Sequence, residues 1–385
     1  MDGAWFAIFH LIVRVQFSAS SAIQFPDHLT CRDADGVRPE PWSLRVQTDL
    51  PPPFTGAPTD PEAVLRDIEA LGGKLRAVRD SVGKVIYGQR DVIDQTLIAL
   101  LSGGHLLLVG LPGLAKTKLV ETLGTVLGLD ARRVQFTPDL MPADILGSEV
   151  LEEDAAGRRA FRFIPGPVFA QLLMADEINR ASPRTQSALL QSMQEYHVSV
   201  GGKRHDLPRP FHVLATQNPL EQEGTYPLPE AQLDRFLLQV DVGYPDEAAE
   251  RQMMIVTTGS RQPQAERVLT AADLQSAQAL IRRVPIGDKV VDAILTLVRA
   301  GRPDSTDLDD IKKHVAWGPG PRASQALMLA SRARAVLQGR LAPSIDDIVA
   351  LAGPVLRHRM ATNFAARAEG VTVDSVIGKL CAKLA

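Results

Sequence analysis

The sequence predicts an α/β fold: a parallel sheet covered on both faces by helices, then a C-terminal all-helical domain. Three observations carry this. Leu106–Val109 is a strand-length apolar run that enters the glycine-bearing stretch Gly110-Leu111-Pro112-Gly113-Leu114-Ala115-Lys116-Thr117, and Lys118–Leu127 continues with helical spacing. Further short apolar runs alternate with helical segments, the pattern of strands buried on both sides. Beyond Tyr244-Pro245-Asp246 the strand signals stop and helical periodicity takes over.

Taken in order, residues 1–58 differ from the rest. Isolated apolar clusters mix with Pro51-Pro52-Pro53 and Gly56-Ala57-Pro58, as expected of a poorly ordered leader or a mis-assigned start. Pro61 and Glu62 open a helix capped by Thr59 or Asp60, with Val64, Leu65, Ile68, Leu71 and Leu75 on one face. Val85–Gln89 separates two helical stretches; it is either a plain turn or a bend in which Gly88 lets backbone approach a bound base. After the loop helix come strands at Arg133–Phe136, Gln171–Asp176, Phe211–Thr216 and Leu237–Val240. A loop spans Thr137–Gly147, a helix runs over Arg184–Glu195, and hairpins are expected around Phe161 and after Tyr196. These elements make a nucleotide-binding core over residues 59–245. Helices at Asp273–Arg283, Asp288–Arg299, Ala323–Gln338 and Ser344–Leu356 fill a second domain, 246–385, with Thr270 and Ser344 as caps.

Strand, glycine turn and helix together form a phosphate-binding loop. Backbone N–H groups and the positive end of the helix dipole face an anion. Lys116 is placed to hold the outer phosphates, and Thr117 to offer its hydroxyl to Mg²⁺. Such loops usually carry Gly before the Lys. Here the residue is Ala115, which fits if its φ stays negative. Asp176-Glu177 ends a buried strand at the sheet edge where ligands collect, so Asp176 suits Mg²⁺ and Glu177 suits activation of a water. Asn218 ends the next strand, where its amide either senses the γ-phosphate or closes an Asx turn. Arg235 either reaches a neighbouring subunit's phosphoryl group or pairs with Asp234 or another surface carboxylate. Arg322, in the first turn of a helix after Pro319-Gly320-Pro321, opposes the dipole. It either reaches a phosphate or lies in solvent.

The 385 residues are 45% hydrophobic, enough for full cores, and the net charge of −3 gives no global field for a nucleic-acid backbone. Cys31 and Cys381 offer neither a disulfide framework nor zinc spacing, which favours a reducing, cytoplasmic setting. No apolar run is long enough to span a bilayer, and no H-E-x-x-H, G-x-S-x-G or G-x-G-x-x-G motif occurs.

With these residues in place the chain resembles the MoxR group of AAA+ ATPases, from about Leu65 to the C-terminus. Five stretches carry the resemblance: Gly110–Thr117 with its Ala115, Gln135–Asp144, Met174–Ala181, Ala215–Pro219 and Pro229–Phe236. The resemblance implies a P-loop core with a C-terminal helical lid. Cofactor contacts are expected from Gly88, Gln89, Gly110, Pro112, Gly113, Leu114, Ala115, Lys116, Thr117 and Lys118, and Mg²⁺ contacts from Thr117 and Asp176. Catalytic roles fall to Glu177, to Asn218, to Arg235 acting as a finger between chains, and to Arg322 on the lid sensing the nucleotide. ATP, Mg²⁺, a ring that is often hexameric, and protein clients carrying von Willebrand factor A domains come with it. The Phe161 and Tyr196 hairpins match inserts that face the pore or a partner. Neighbouring branches supply the alternatives: a nucleic-acid remodelling ATPase, or the ATPase subunit of a magnesium-chelatase-like complex.

Overall fold

A computed structural model describes residues 61–153, 159–221, 224–259 and 263–384. The expected leader over 1–58 and the cap at Thr59 or Asp60 lie outside them. Nine strands precede the helical region: β1 (Leu106–Gly110), β2 (Ala131–Gln135), β3 (Gly147–Glu153), β4 (Arg159–Pro165), β5 (Leu172–Asp176), β6 (His197–Val200), β7 (Lys203–Asp206), β8 (His212–Gln217) and β9 (Leu238–Val242). Five of them form one parallel sheet in the order β2-β5-β8-β1-β9.

The sheet is apolar because both faces are buried. Leu106 and Leu108 of β1, Leu172 and Met174 of β5 and Leu214 of β8 belong to one core. The alternating Leu107, Leu173, Ala175, Val213 and Ala215 belong to the other. The first core is closed by the helices Pro61–Gly83, Arg90–Leu101 and Lys116–Leu127, the second by Pro183–Glu195. In the first of these helices Ile68, Leu71 and Leu75 are buried as expected, whereas Leu65 is 39% exposed. Edge strand β2 is the exception to apolar strands; only Val134 is buried, which leaves Arg133 and Gln135 free for polar work.

Register aligns the strand ends. Gln135 pairs with Asp176, Ala175 with Ala215, Gln217 with Val109, and Gly110 with Val242. All five carboxyl ends therefore lie on one edge. The chain leaves β1 for the far edge strand β2, walks back through β5 and β8, and places β9 on the other side of β1. That reversal of strand order beside β1 is where an open parallel sheet leaves a crevice for a ligand.

The two hairpins form as expected: β3 pairs with β4, and β6 with β7. Leu151 and Phe161 sit opposite each other on the first and are both more than half exposed. After β9 the region is helical except for β10 (Val315–Trp317) and β11 (Ala361–Thr362), a short antiparallel pair that the sequence reading lacks. It also lacks the helices Glu247–Thr257 and Val373–Ala382. Thr270 and Ser344 cap their helices, each with the reciprocal Asp three residues on.

Candidate active site

The loop after β1 is shaped by backbone demands. Gly110 admits no side chain, since a Cβ would lie 2.6 Å from the Val242 carbonyl. Gly113 has φ of +82°. Ala115 also has positive φ, +57°, which corrects the expectation of a negative one. A left-handed alanine costs roughly 1–2 kcal/mol, so the loop holds its shape against that strain. The same conformation ends β5, where Glu177 has φ of +55°. Of the three non-glycine residues with positive φ among those described, two therefore flank one crevice.

That crevice is a cavity of about 360 Å³ bounded by Pro112–Lys118 on one side and by Asp176, Glu177, Thr216 and Asn218 on the other. Lys116 and the two carboxylates, 60 positions apart in sequence, share it. The Lys116–Leu127 helix meets the cavity without any side-chain cap, so its first-turn amides have no side-chain acceptor of their own. Lys116 Nζ donates to the Gly110 carbonyl and, at 3.0 Å, to the Leu111 carbonyl. Partial burial pushes its ammonium below the usual lysine range, while Asp176 and Glu177 pull it back up.

The acidic pair is held by residues that sequence reading missed. Thr216 Oγ1 donates to Asp176 Oδ1 at 2.6 Å and accepts from the Glu177 backbone N–H at 2.8 Å. One hydroxyl thus ties β8 to both carboxylate positions. Arg133 donates to Asp176 Oδ2 through Nε at 3.1 Å and Nη2 at 2.6 Å. Glu177 Oε2 accepts from Gln135 Nε2 at 2.6 Å and Arg180 Nη1 at 3.1 Å. The signal for Arg133 and Gln135 was their place on a polar edge strand, Gln135 directly opposite Asp176 and Arg133 two residues before it. Asn218 lines the cavity, and its Oδ1 accepts from Leu220 N–H at 3.2 Å in an Asx turn.

A second cavity, about 420 Å³, adjoins the first and shares Pro112–Ala115 and Lys118 with it. Its walls are largely apolar: Val85, Ile86, Tyr244, Pro245, Met253 and Val256. Gln89 lines it and donates to the Leu114 carbonyl at 3.2 Å, so it braces the phosphate loop from behind. Gly88 does not line it. A Cβ there would come within 2.5 Å of Ala249 and 3.0 Å of Pro245, so Gly88 is required for packing against that turn rather than for approach to a base.

Uncapped helix amides, a lysine, a threonine and an aspartate on one cavity, with an apolar slot beside it, fit a nucleoside triphosphate with a divalent cation. Among the described residues no group of three or more His, Cys, Asp or Glu could hold a metal. Thr117 and Asp176 would therefore bind Mg²⁺ only in company with phosphate oxygens and water.

Arg235 and Arg322 lie elsewhere. They line a third cavity, about 270 Å³, with His105 and Leu237, just before the amino ends of β1 and β9. A five-residue strand separates the two edges, roughly 16 Å at the usual rise per residue. Arg322 Nη1 lies 3.5 Å from Asp234 Oδ2. Against the expectation that Arg322 reaches this chain's own phosphate site, it lines the cavity at the other end of the sheet and not the phosphate cavity. Among the described residues of the C-terminal region, those that line the apolar slot belong to the Glu247–Thr257 helix and to Pro263 after it. Arg235 is not paired with Asp234 either, because that carboxylate is taken by Arg322 and Arg359.

The comparisons agree with this geometry. A family model described as the ATPase family associated with various cellular activities (AAA) matches residues 105–238, and an AAA lid domain model matches 309–380. The chain is 43% identical over 300 residues to the chaperone MoxR1 of Mycobacterium tuberculosis, covering 78% of each. It is 39% identical to YeaC of Bacillus subtilis, covering 83% of this chain and 95% of that one. A crystal structure of a candidate ATPase from Cytophaga hutchinsonii superposes with a TM-score of 0.75 at 38% identity, over 83% of this chain and 96% of that one. A phosphate loop at the strand reversal, an acidic pair facing it and relatives of this extent make the chain a member of the MoxR-type AAA+ ATPases.

Proposed function

We propose that the protein is a Mg²⁺-dependent ATP-hydrolysing motor that assembles into a ring, often hexameric in this group, and matures or activates protein partners. The observation that carries this reading is the single cavity shared by Lys116, Thr117, Asp176, Glu177 and Asn218. Lys116 and the amides at the start of its helix hold the outer phosphates; Thr117 and Asp176 hold the cation. A cation held by Thr117 and Asp176 would supply charge neutralisation to the bound phosphates. Glu177 takes the proton of the attacking water, and Asn218 orients that water. Thr216 keeps both carboxylates in register. The base lies in the apolar slot against Ile86 and Val256.

Arg235 and Arg322 act on the nucleotide of a neighbouring chain. Both line one cavity at the sheet edge remote from their own phosphate loop. An arginine so placed stabilises transferring charge only if a second copy brings its phosphates to that face. Partners with von Willebrand factor A domains follow from kinship alone.

Two variants test the reading. Lys116→Ala should abolish nucleotide binding in a fluorescent-ATP titration. Glu177→Gln should bind ATP with unchanged affinity while turnover falls roughly 10²–10⁴-fold. Ordinary steady-state hydrolysis by Glu177→Gln would remove the assigned base. The Glu177→Gln form, locked with ATP, is also the form for capturing a protein client from the native cell.

A further inference from the structure

Arg359 closes the 3₁₀ turn Arg357–Arg359 and is only 3% exposed. A buried guanidinium is expensive unless its donors are matched, and here they are. Nε donates to Asp234 Oδ1 at 2.8 Å. Nη1 donates to the carbonyls of Leu237 at 3.0 Å and Val355 at 2.7 Å. Nη2 donates to the carbonyls of Asp234 at 3.3 Å and Phe236 at 2.5 Å. The neighbouring His358 Nε2 lies 3.1 Å from the same Phe236 carbonyl. The helical region thus grips Asp234, Phe236 and Leu237 by their main chain, and Asp234 by its side chain as well. Arg235 is the one residue of that segment that Arg359 leaves untouched.

The grip has a direction. Asp234 offers Oδ1 to Arg359 and Oδ2 to Arg322, so one carboxylate serves two arginines. Arg235 lines the same cavity beside them. An apolar side chain could fill this junction without any desolvation penalty. What a planar five-donor fork adds is a fixed backbone path for four consecutive residues.

We propose that Arg359 is a positioning residue for Arg235: anchored in the helical region, it fixes the Asp234–Leu237 turn so that Arg235 projects at the angle a neighbouring chain's phosphate requires. The helical region then moves the finger with it, rather than closing over its own nucleotide. This inference rests on the reading of Arg235 as a finger acting between chains.

The test uses the full chain and mixed assemblies. Arg359→Lys keeps the charge and loses the fork. It should bind ATP as the wild type does and lower kcat roughly 10- to 100-fold, the scale of a misplacement of about 1 Å, with KM little changed. Mixing it with Glu177→Gln should raise activity above either variant alone, because one supplies the base and the other an ordered finger. Arg235→Ala is run beside it. If Arg235→Ala is rescued by Glu177→Gln but Arg359→Lys is fully active alone, or is impaired and not rescued, the positioning role is wrong. If Arg235→Ala is itself not rescued, the finger between chains is wrong. Should Arg359→Lys fail to fold by circular dichroism, Asp234→Asn loosens the same turn from its partly exposed side, with the same expectations.

Discussion

The two ends of the sheet hold two cavities that are built differently. At the carboxyl edge, the phosphate cavity is made from residues that directly follow strands: Pro112–Lys118 after β1, Glu177 after β5, Asn218 after β8. At the amino edge, Arg235, Arg322 and Arg359 line one cavity although they come from separate segments of the chain, and Asp234 joins Arg322 to Arg359. The first cavity is lined from one chain by the lysine, the threonine and the acidic pair proposed to hold phosphate and metal. The second gathers positive charge with little acid to neutralise it, and becomes chemically meaningful when an anion arrives from outside. Burial and then the nearby Arg322 push the Arg235 guanidinium below its usual range, and the Glu195 carboxylate offsets them only in part.

That contrast can be broken most directly at Arg235. Arg235→Ala should leave ATP affinity intact and lower kcat by roughly 10³-fold or more, the usual worth of a finger supplied between chains. Paired ATP-binding and phosphate-release measurements check it; loss of binding would place Arg235 at the chain's own site and erase the difference between the edges. Thr216→Val probes the carboxyl edge. It strips a partner from buried Asp176 and from the Glu177 N–H, so Mg²⁺ affinity should weaken roughly 10–100-fold and stability should fall by about 1–3 kcal/mol. Metal titration of activity and denaturant unfolding separate the two effects.

The amino edge should respond to acid in a way the carboxyl edge does not. His105 and His212 are fully buried beneath it, His105 with Nε2 on the Met193 carbonyl and His212 with Nδ1 on the Gly104 carbonyl. Burial holds them at about 3 and about 4, down from 6.5. The unfolded chain takes up these protons below pH 6.5 and the native one does not. Stability should therefore be flat above 6.5 and decline as pH falls from there toward 4, by on the order of 1 kcal/mol per pH unit for each histidine. Thermal melts across pH should show the decline, and it should be shallower in His212→Gln. The smallest effect is expected at Ala115→Gly. Removing the methyl relieves left-handed strain but frees the unfolded chain, leaving a net gain under about 1 kcal/mol with turnover unchanged. A loss of activity would mean that the methyl itself shapes the phosphate cavity.

How much could be read from the letters follows the same division. Lys116, Thr117, Asp176, Glu177 and Asn218 were legible because each sits at or just after the end of an apolar run, and a parallel sheet puts such ends on one edge. Arg322 was legible as an oddity, a cation against a helix dipole, but not in its destination. Gly88 was legible as a bend and misread in purpose, since its neighbours Pro245 and Ala249 are distant in sequence. Thr216 gave no signal at all: a threonine inside an apolar strand is ordinary until its hydroxyl is seen between two carboxylate positions. The Glu247–Thr257 helix was missed because its only buried residue is Ala249, so it shows no apolar stripe to read.

By itself the sequence determined the layered α/β core, the glycine-bearing loop after β1 and the acidic pair that shares its cavity, because these depend on local periodicity and on strand ends. Only the tertiary structure decided at which edge each arginine lies, and that Arg359 grips the turn carrying Arg235. Those outcomes depend on hydrogen bonds between groups up to 125 positions apart. Such bonds leave no periodic trace in the chain and exist only once helices and sheet have packed.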